Sequence, residues 1–516
     1  MVSRSDRRKS EANREGRSEV LAKHSTVDRH QDGKRSRNWG TVAQGTQLRE
    51  GDAGHHVQPG LHTKQTMSCN AVFLKLREIA QQAARDPNRV FTTLAHLLTP
   101  DFLAAAFYRL RRSAAPGCDK ITAEEYAGNL DANLADLYER LRSKRYRAQP
   151  VKRVWIDKED GKQRPLGLPT LEDKIVQRAV VMILEAIYEE DFHESSYGFR
   201  RGRNPHQALT VLREQCMNGR IGWIVDADVS GFFDAIDRKM LQDFIRRRVN
   251  DGTIRRLIGK WLHVGVLEEG KLSYSETGTP QGGVISPLLA NIFLHYVLDE
   301  WFVHEVQKRL HGRSFLIRFA DDFIIGCERE EDARQILELL RERFAAHGLT
   351  IHPTKSRLID FRSPRWVARE RQRLGSKLSA TRADASGPSK GNGTFDFLGF
   401  THYWARSRRG YWVIKRRTSR KRLRRAIRSL WQWLRQNRHE RLADQHRILI
   451  AKLRGHYQYY GIRCNMESMG KLCSAVTRGW RYWLGRRSQK STIPWEKFQL
   501  FLKQYPLPRP CIVHSI

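Results

Sequence analysis

Residues 315–326 read FLIRFADDFIIG, two short apolar runs flanking the adjacent aspartates Asp321 and Asp322. Each run is too short for a stable helix and is rich in aromatic and β-branched residues, the pattern of a strand. The Ala-Asp-Asp between them leaves room only for a turn, and Asp is a common turn residue. The segment therefore predicts a β-hairpin with a carboxylate pair at its tip, in a chain that must supply layers to cover it. Two carboxylates about 4 Å apart repel by roughly 4 kcal/mol at an effective dielectric of about 20. Such a pair is either a solvated turn or a seat for a divalent cation.

Charge narrows the partner. The chain has 93 Lys and Arg against 56 Asp and Glu, a formal net charge of +37. That balance points to a polyanion, with nucleic acid ahead of an anionic membrane. No apolar run reaches the roughly 18 residues of a membrane span, and MVSRSDRRKSEANREGRSEV at the start has no apolar core for a signal peptide. The expectation is a cytoplasmic, nucleic-acid-associated protein with no membrane partner. Seven scattered cysteines without a Cys-x-x-Cys pair argue against a zinc ribbon or a disulfide framework.

Residues 1–70 are polar and lack periodicity, and read as a disordered or poorly packed extension. Helical patterns begin at Val72. VKRVWIDKEDGKQRPLGLPT (151–170) predicts a basic hairpin turning at Asp160-Gly161, and residues 173–192 predict a core helix. GWIVDADVSGFFDAID (222–237) reads as a strand with spaced aspartates, then a Gly and two aromatics. Residues 276–302 form a Gly/Pro loop entering an apolar helix, and 361–394 read as a flexible insertion. Residues 401–490 hold 25 Lys and Arg against three acids, so they carry +22 of the net charge, interleaved with aromatics. Leu423, Ile427, Leu430, Trp431 and Leu434 share one helical face, and Leu449, Leu453, Tyr457 and Tyr460 repeat it. A helical bundle with a basic exterior follows.

If Asp228, at the end of its strand, faces the Asp321–Asp322 hairpin, three carboxylates converge and need cations to stay ionised. Two Mg²⁺ about 3.5–4 Å apart, sharing aspartates, make an in-line phosphoryl-transfer site. Taken singly, Asp226, Asp228 and Asp234 are more simply strand-end and capping residues. Their company changes that reading. DVSGFF (228–233), GTPQGGVISPLLANI (278–292), FADD (319–322), GLTIHPTKSRLIDF (348–361) and FDFLGF (395–400) occur in one order with KQRPLGLPTLEDKIVQRAV and SSYGFRRGRNPHQAL before them. The chain from about residue 95 to 516 resembles the reverse transcriptase/maturases encoded by group II introns; LRGHYQYYG and WLGRRSQKSTIPWEKF resemble the maturase end of that family.

The resemblance implies an α+β right-hand polymerase: fingers at 71–205, a palm of antiparallel sheet at 206–400, a helical thumb or maturase domain at 401–475 and a small nucleic-acid-binding region at 476–516. It implies catalytic, metal-binding Asp228, Asp321 and Asp322 with two Mg²⁺. Lys158, Arg164, Phe233, Gln281 and Lys355 would contact the incoming nucleotide, Phe233 by occupying the space of a ribose 2′-hydroxyl. Arg416, Arg417, Arg422, Arg424, Arg425, Arg486 and Arg487 would bind RNA. The implied partners are an intron RNA template, a DNA target or primer and deoxynucleoside triphosphates. The implied function is RNA-directed DNA synthesis with assistance to splicing during intron mobility. The alternatives are a retron-like or defence-associated reverse transcriptase, or a non-catalytic RNA-folding factor. The chain departs from the family in carrying Phe319 where Tyr is usual, and PLPRPCIVHSI ends it without the Cys- and His-bearing endonuclease segment many relatives have.

Overall fold

The central sheet is built from strands whose apolar runs are covered on both faces. A computed structural model describes residues 60–157, 163–218, 220–268, 271–273, 282–373, 393–488 and 492–516. In chain order its strands are β1 (Val151–Asp157), β2 (Gln163–Leu168), β3 (Trp223–Ala227), β4 (Val229–Ser230), β5 (Val266–Glu268), β6 (Lys271–Ser273), β7 (Ser314–Phe319), β8 (Asp322–Cys327), β9 (Thr350–Ile351), β10 (Arg357–Asp360), β11 (Thr394–Phe397), β12 (Phe400–Arg406) and β13 (Trp412–Thr418). The central sheet runs β10-β3-β8-β7, every neighbouring pair antiparallel. In β8 the side chains alternate: Phe323 meets Phe344 of the helix Glu330–Ala345 at 6.0 Å, while Ile324 joins Ile224, Ile317, Phe361 and Phe395 in a core on the other face. A strand covered on both faces reads as a continuous apolar run, as 323–327 does.

The expected hairpin at 151–170 is present, β1 pairing antiparallel with β2 from Lys152↔Leu168 to Asp157↔Gln163. Its Asp160-Gly161 turn lies outside the described residues. The expected core helix is α1 (Leu171–Asp191), buried along nearly its whole length. Thr170 caps it, its hydroxyl accepting from the Asp173 amide at 3.3 Å. The Gly/Pro loop leads into α2 (Ser286–Leu294), which continues through π-helical turns at His295–Asp299 and Phe302–Val306.

A basic helical bundle follows: α3 (Arg420–Gln436), α4 (Leu442–Tyr460), α5 (Met466–Gly485) and α6 (Trp495–Gln504). Leu430, Leu434, Leu449, Leu453, Tyr457, Leu472, Val476, Trp480 and Phe498 form its core, so the two predicted apolar faces meet. The fully buried indole of Trp480 needs a partner, and donates to Gln445 Oε1 at 2.9 Å.

Four expected boundaries move. A helix, Gly60–Arg85, begins inside the stretch expected to be unstructured, 1–70; residues 1–59 lie outside the described residues. The front of the expected insertion 361–394 is ordered: Phe361 is fully buried in the central core and Pro364–Arg373 is helical, because Phe361 packs edge-on to Phe395 at 4.9 Å. Residues 374–392 lie outside the described residues. The 400/401 boundary would cut a three-stranded sheet, β11-β12-β13, whose Phe397↔Phe400 and Phe400↔Thr418 pairs make it one unit with the central core. Residues 401–418 are thus a hairpin of β12 and β13, and the helices start at Arg420. The 475/476 boundary falls inside α5, where Val476 and Trp480 are bundle core. Among the described residues, no helix is long and apolar enough to cross a membrane.

Candidate active site

The tip of the β7–β8 hairpin is a two-residue turn. Phe319 pairs with Asp322, leaving Ala320 and Asp321 at the bend. Ala320 adopts φ +60°, the left-handed first position that matches a hairpin turn to the twist of its strands. β3 pairs with β8 through Asp226↔Ile324 and Ala227↔Phe323, so one more step sets Asp228 opposite Asp322. Asp226, Asp228 and Asp322 thus share one face of the sheet, the period-2 consequence of strand geometry, and Asp321 stands beside them on the turn.

Electrostatics confirm the convergence. Burial pushes the half-buried Asp321 carboxyl up, Asp228 adds to this, and Arg164 of β2 pulls it back. Enclosure by the surrounding protein, followed by Asp226, Asp321 and Asp228, pushes Asp322 up to about 7. Asp322 also keeps an exposed face, so solvent screens the enclosure and the three like charges are the cause that persists. A cluster of hard oxygen donors that raise one another's proton affinity fits a hard divalent cation. Lys355 reaches into the same cluster, its Nζ donating to Asp228 Oδ2 at 2.8 Å. The Asp228 backbone is fixed by the loop carrying that lysine: its carbonyl accepts from the His352 amide at 2.7 Å, and its amide donates to Ser356 Oγ at 3.2 Å.

Phe233 follows β4 in a short helical turn, half-buried, its ring edge-on to the buried Phe232 at 5.4 Å. Lys158 and Gln281 lie outside the described residues. Gly282, next to Gln281, lies hard against the basic hairpin; a Cβ there would come within 2.4 Å of the Gly167 carbonyl oxygen, so only glycine lets the loop approach β2 this closely.

Two supporting devices escape a reading of the sequence. The first is Arg318, fully buried in β7 three residues before Asp321. Its guanidinium binds Asp299 through Nε at 2.8 Å and Nη2 at 2.5 Å, and its Nη1 donates to Asn291 Oδ1 at 2.9 Å and to the Ala320 carbonyl at 3.2 Å. The visible signal was an arginine inside an apolar run, which requires a buried partner. The second is the Leu398–Gly399 turn. The Leu398 backbone lies beside the Asp322 carboxyl and offsets part of its upward shift. Tyr459 Oη, from the end of α4, donates to the Leu398 carbonyl at 2.9 Å, tying the bundle to the carboxylate cluster.

The expected RNA-binding arginines divide. Arg422, Arg424 and Arg425 are exposed on α3. Arg417 is exposed and lies over the Tyr403 ring at 5.0 Å, as Arg486 does over Tyr482 at 5.3 Å. Arg416 is a correction. It is 2 % exposed and donates to the Leu209 carbonyl at 3.1 Å. Along β13, Ile414, Arg416 and Thr418 face the core while Arg417 faces out, so alternation carries Arg416 away from any external phosphate. Burial and the neighbouring Arg213 push it down to about 10. Arg487 is exposed but engaged, donating to the Arg438 and Glu440 carbonyls, each at 2.6 Å, where it braces the turn after α3.

Residues 156–402 match the family described as reverse transcriptase (RNA-dependent DNA polymerase). The chain is 36 % identical over 304 residues to protein YkfC of Escherichia coli K12, covering 51 % of this chain and 79 % of that protein. It is 37 % identical over 241 residues to the group II intron-encoded protein LtrA of Lactococcus lactis, covering 46 % of this chain and 40 % of LtrA. It is also 33 % identical over 90 residues to nuclear intron maturase 1 of Arabidopsis thaliana, 17 % of this chain and 12 % of that protein. The ordered motifs, the carboxylates gathered where β3 ends beside the β7–β8 turn and these relatives agree: the chain belongs to the group II intron reverse transcriptase/maturase family.

Proposed function

We propose that this protein is an RNA-directed DNA polymerase that binds its intron RNA, assists its splicing and copies it into DNA during intron mobility. The observation that carries the reading is the gathering of Asp228, Asp321 and Asp322 where β3 ends beside the β7–β8 turn, with Lys355 and Arg164 alongside. Residues 71–205 act as fingers, 206–418 as palm and the helices from Arg420 as thumb, with the chain after α5 extending the nucleic-acid surface.

Asp228 and Asp321, completed by Asp322, would hold two Mg²⁺, which when bound activate the primer 3′-hydroxyl and offset charge on the departing pyrophosphate. Arg164, with Lys158, grips the triphosphate of the incoming deoxynucleotide. Lys355 exchanges Asp228 for a phosphate oxygen as substrate arrives. Phe233 fills the space of a ribose 2′-hydroxyl, and Gln281 touches the nascent pair. The Leu398–Gly399 turn supports the primer end beside Asp322. Arg417, Arg422, Arg424, Arg425 and Arg486 contact intron RNA. The charge balance goes with a nucleic-acid-bound location in the cytoplasm.

Primer extension on an RNA template tests this. Asp228→Asn and Asp321→Asn should each abolish extension in Mg²⁺ while leaving RNA binding intact, and chelation should silence the unaltered protein until Mg²⁺ is restored. Extension by either variant at the unaltered rate overturns the assignment.

A further inference from the structure

Next to Asp299 in the chain begins a second cluster of potential ligands. His193 follows α1 by two residues, Glu300 sits between the two π-helical segments and His304 is four residues on. His193 Nε2 is 2.8 Å from Glu300 Oε1, and His304 Nε2 is 3.4 Å from Glu300 Oε2. One ligand atom from each of the three lies within 4.8 Å of the others. A fourth imidazole, His295, places its Nε2 3.7 Å from Glu300 Oε1. π-Helical turns close i→i+5 bonds rather than i→i+4, so residues five apart, such as His295 and Glu300, come onto one face. π-Turns within helices recur at functional sites.

We propose that His193, Glu300 and His304 form a binding site for a borderline divalent transition-metal ion, zinc foremost, with His295 beside it. Nitrogen and carboxylate donors suit zinc and not Mg²⁺. The Glu300 carboxylate stands between the two imidazoles, one oxygen 2.8 Å from His193 Nε2 and the other 3.4 Å from His304 Nε2, close enough for one ion at about 2.0–2.1 Å from each ligand to replace these contacts. His295 supplies an independent sign. Its side chain is 4 % exposed and turns Nε2 toward Glu300, while its Nδ1 has no hydrogen-bond partner among the described residues, so Nε2 is the nitrogen it offers to the cluster. The neighbouring Asp299 is not a competing ligand, since both its oxygens are taken by Arg318.

The ion would join two segments that already hold the catalytic hairpin. Residues 195–198 run beside β7, the Arg318 amide donating to the Ser195 carbonyl and the Tyr197 amide to the Arg318 carbonyl, each at 2.8 Å. A Cβ on Gly198 would come within 2.3 Å of the Ala320 amide nitrogen. The helix carrying Glu300 and His304 also carries Asp299. A metal here is a clamp behind the active site, outside the reaction itself.

The test titrates Zn²⁺ into the full-length, metal-stripped protein against a chromophoric chelator, with Mg²⁺ in excess to occupy the catalytic carboxylates. His304→Gln and Glu300→Gln are run alongside; His304 is 58 % exposed, so its replacement leaves the fold intact. The unaltered protein should take up one competing Zn²⁺ per chain. Each variant should bind it more weakly by more than the roughly tenfold that an outer-shell partner is worth. Co²⁺ in its place should give a d–d band without a thiolate charge-transfer band. No uptake by the unaltered protein, uptake by both variants as tight as by the unaltered protein, or a thiolate band would each overturn the proposal and leave Glu300 as a hydrogen-bond partner of His193.

Discussion

Arg318 and Asp299 form an ion pair with both side chains fully buried, 19 residues apart in sequence and joined by two parallel hydrogen bonds. The pair lies beneath the turn that presents Asp321, and the remaining guanidinium nitrogen, Nη1, donates to the Ala320 carbonyl of that turn. A buried pair is weak evidence for net stability, but losing one member strands a charge and costs about 3–5 kcal/mol.

Arg318→Met and Asp299→Leu should therefore each lower the thermal midpoint sharply. The double variant should recover much of the loss, because no unpaired charge remains. Primer extension should stay depressed in the double variant, since Ala320 and Asn291 still lack their donor. Thermal scans and extension assays on all four proteins make the comparison; additive midpoint losses would mean the pair is not coupled.

The role proposed for Phe233 is sugar choice. Phe233→Ala should raise incorporation of ribonucleotides relative to deoxyribonucleotides by opening space for a 2′-hydroxyl, while the buried Phe232 beside it keeps the turn in place. Single-nucleotide insertion kinetics with both substrates decide it. An unchanged ratio would mean that Phe233 is only part of the core.

Salt dependence separates the arginines. Replacing Arg422, Arg424 and Arg425 together should flatten the log–log dependence of RNA affinity on salt by about two to three units, at roughly 0.7–0.9 per phosphate contact. Arg416→Gln should leave the slope unchanged and lower the thermal midpoint instead, because it empties an interior position. Filter binding across a salt series reads the first effect and a thermal scan the second.

Gln445 holds the bundle together at one point. Its amide oxygen accepts from Trp480 and its Nε2 contacts the Asn437, Arg438 and Glu440 carbonyls. Gln445→Leu strands a buried indole N–H, at about 1–3 kcal/mol for an unsatisfied group, and should lower the thermal midpoint. Trp480→Phe should cost less in the Gln445→Leu background than in the unaltered protein, since that N–H is already unpaired. Equal losses in both backgrounds would remove the coupling.

Local patterns carried much of this protein. Alternation and chain breaks marked β1, β2, β7 and β8, because strand periodicity depends only on near neighbours. Helical spacing marked the faces of α3 and α4 that meet in the bundle core. The paired aspartates of FADD and the lone Asp228 were legible as a set through their order along the chain. Tertiary structure decided the rest. Period 2 says that Arg416 and Arg417 face opposite ways, but only the layer packed on β13 says which faces inward. Arg318 announced a buried charge, while its partner lay 19 residues away on a helix that no local rule connects to β7. The gathering of His193 with Glu300 and His304 likewise depends on α1 and the π-helical turns packing side by side. Boundaries at 400 and 475 followed changes in composition, whereas the sheet and helix that cross them follow hydrogen bonding and burial. Sequence sets the propensity of each segment; the long-range pairing of charges and apolar faces sets what each side chain touches.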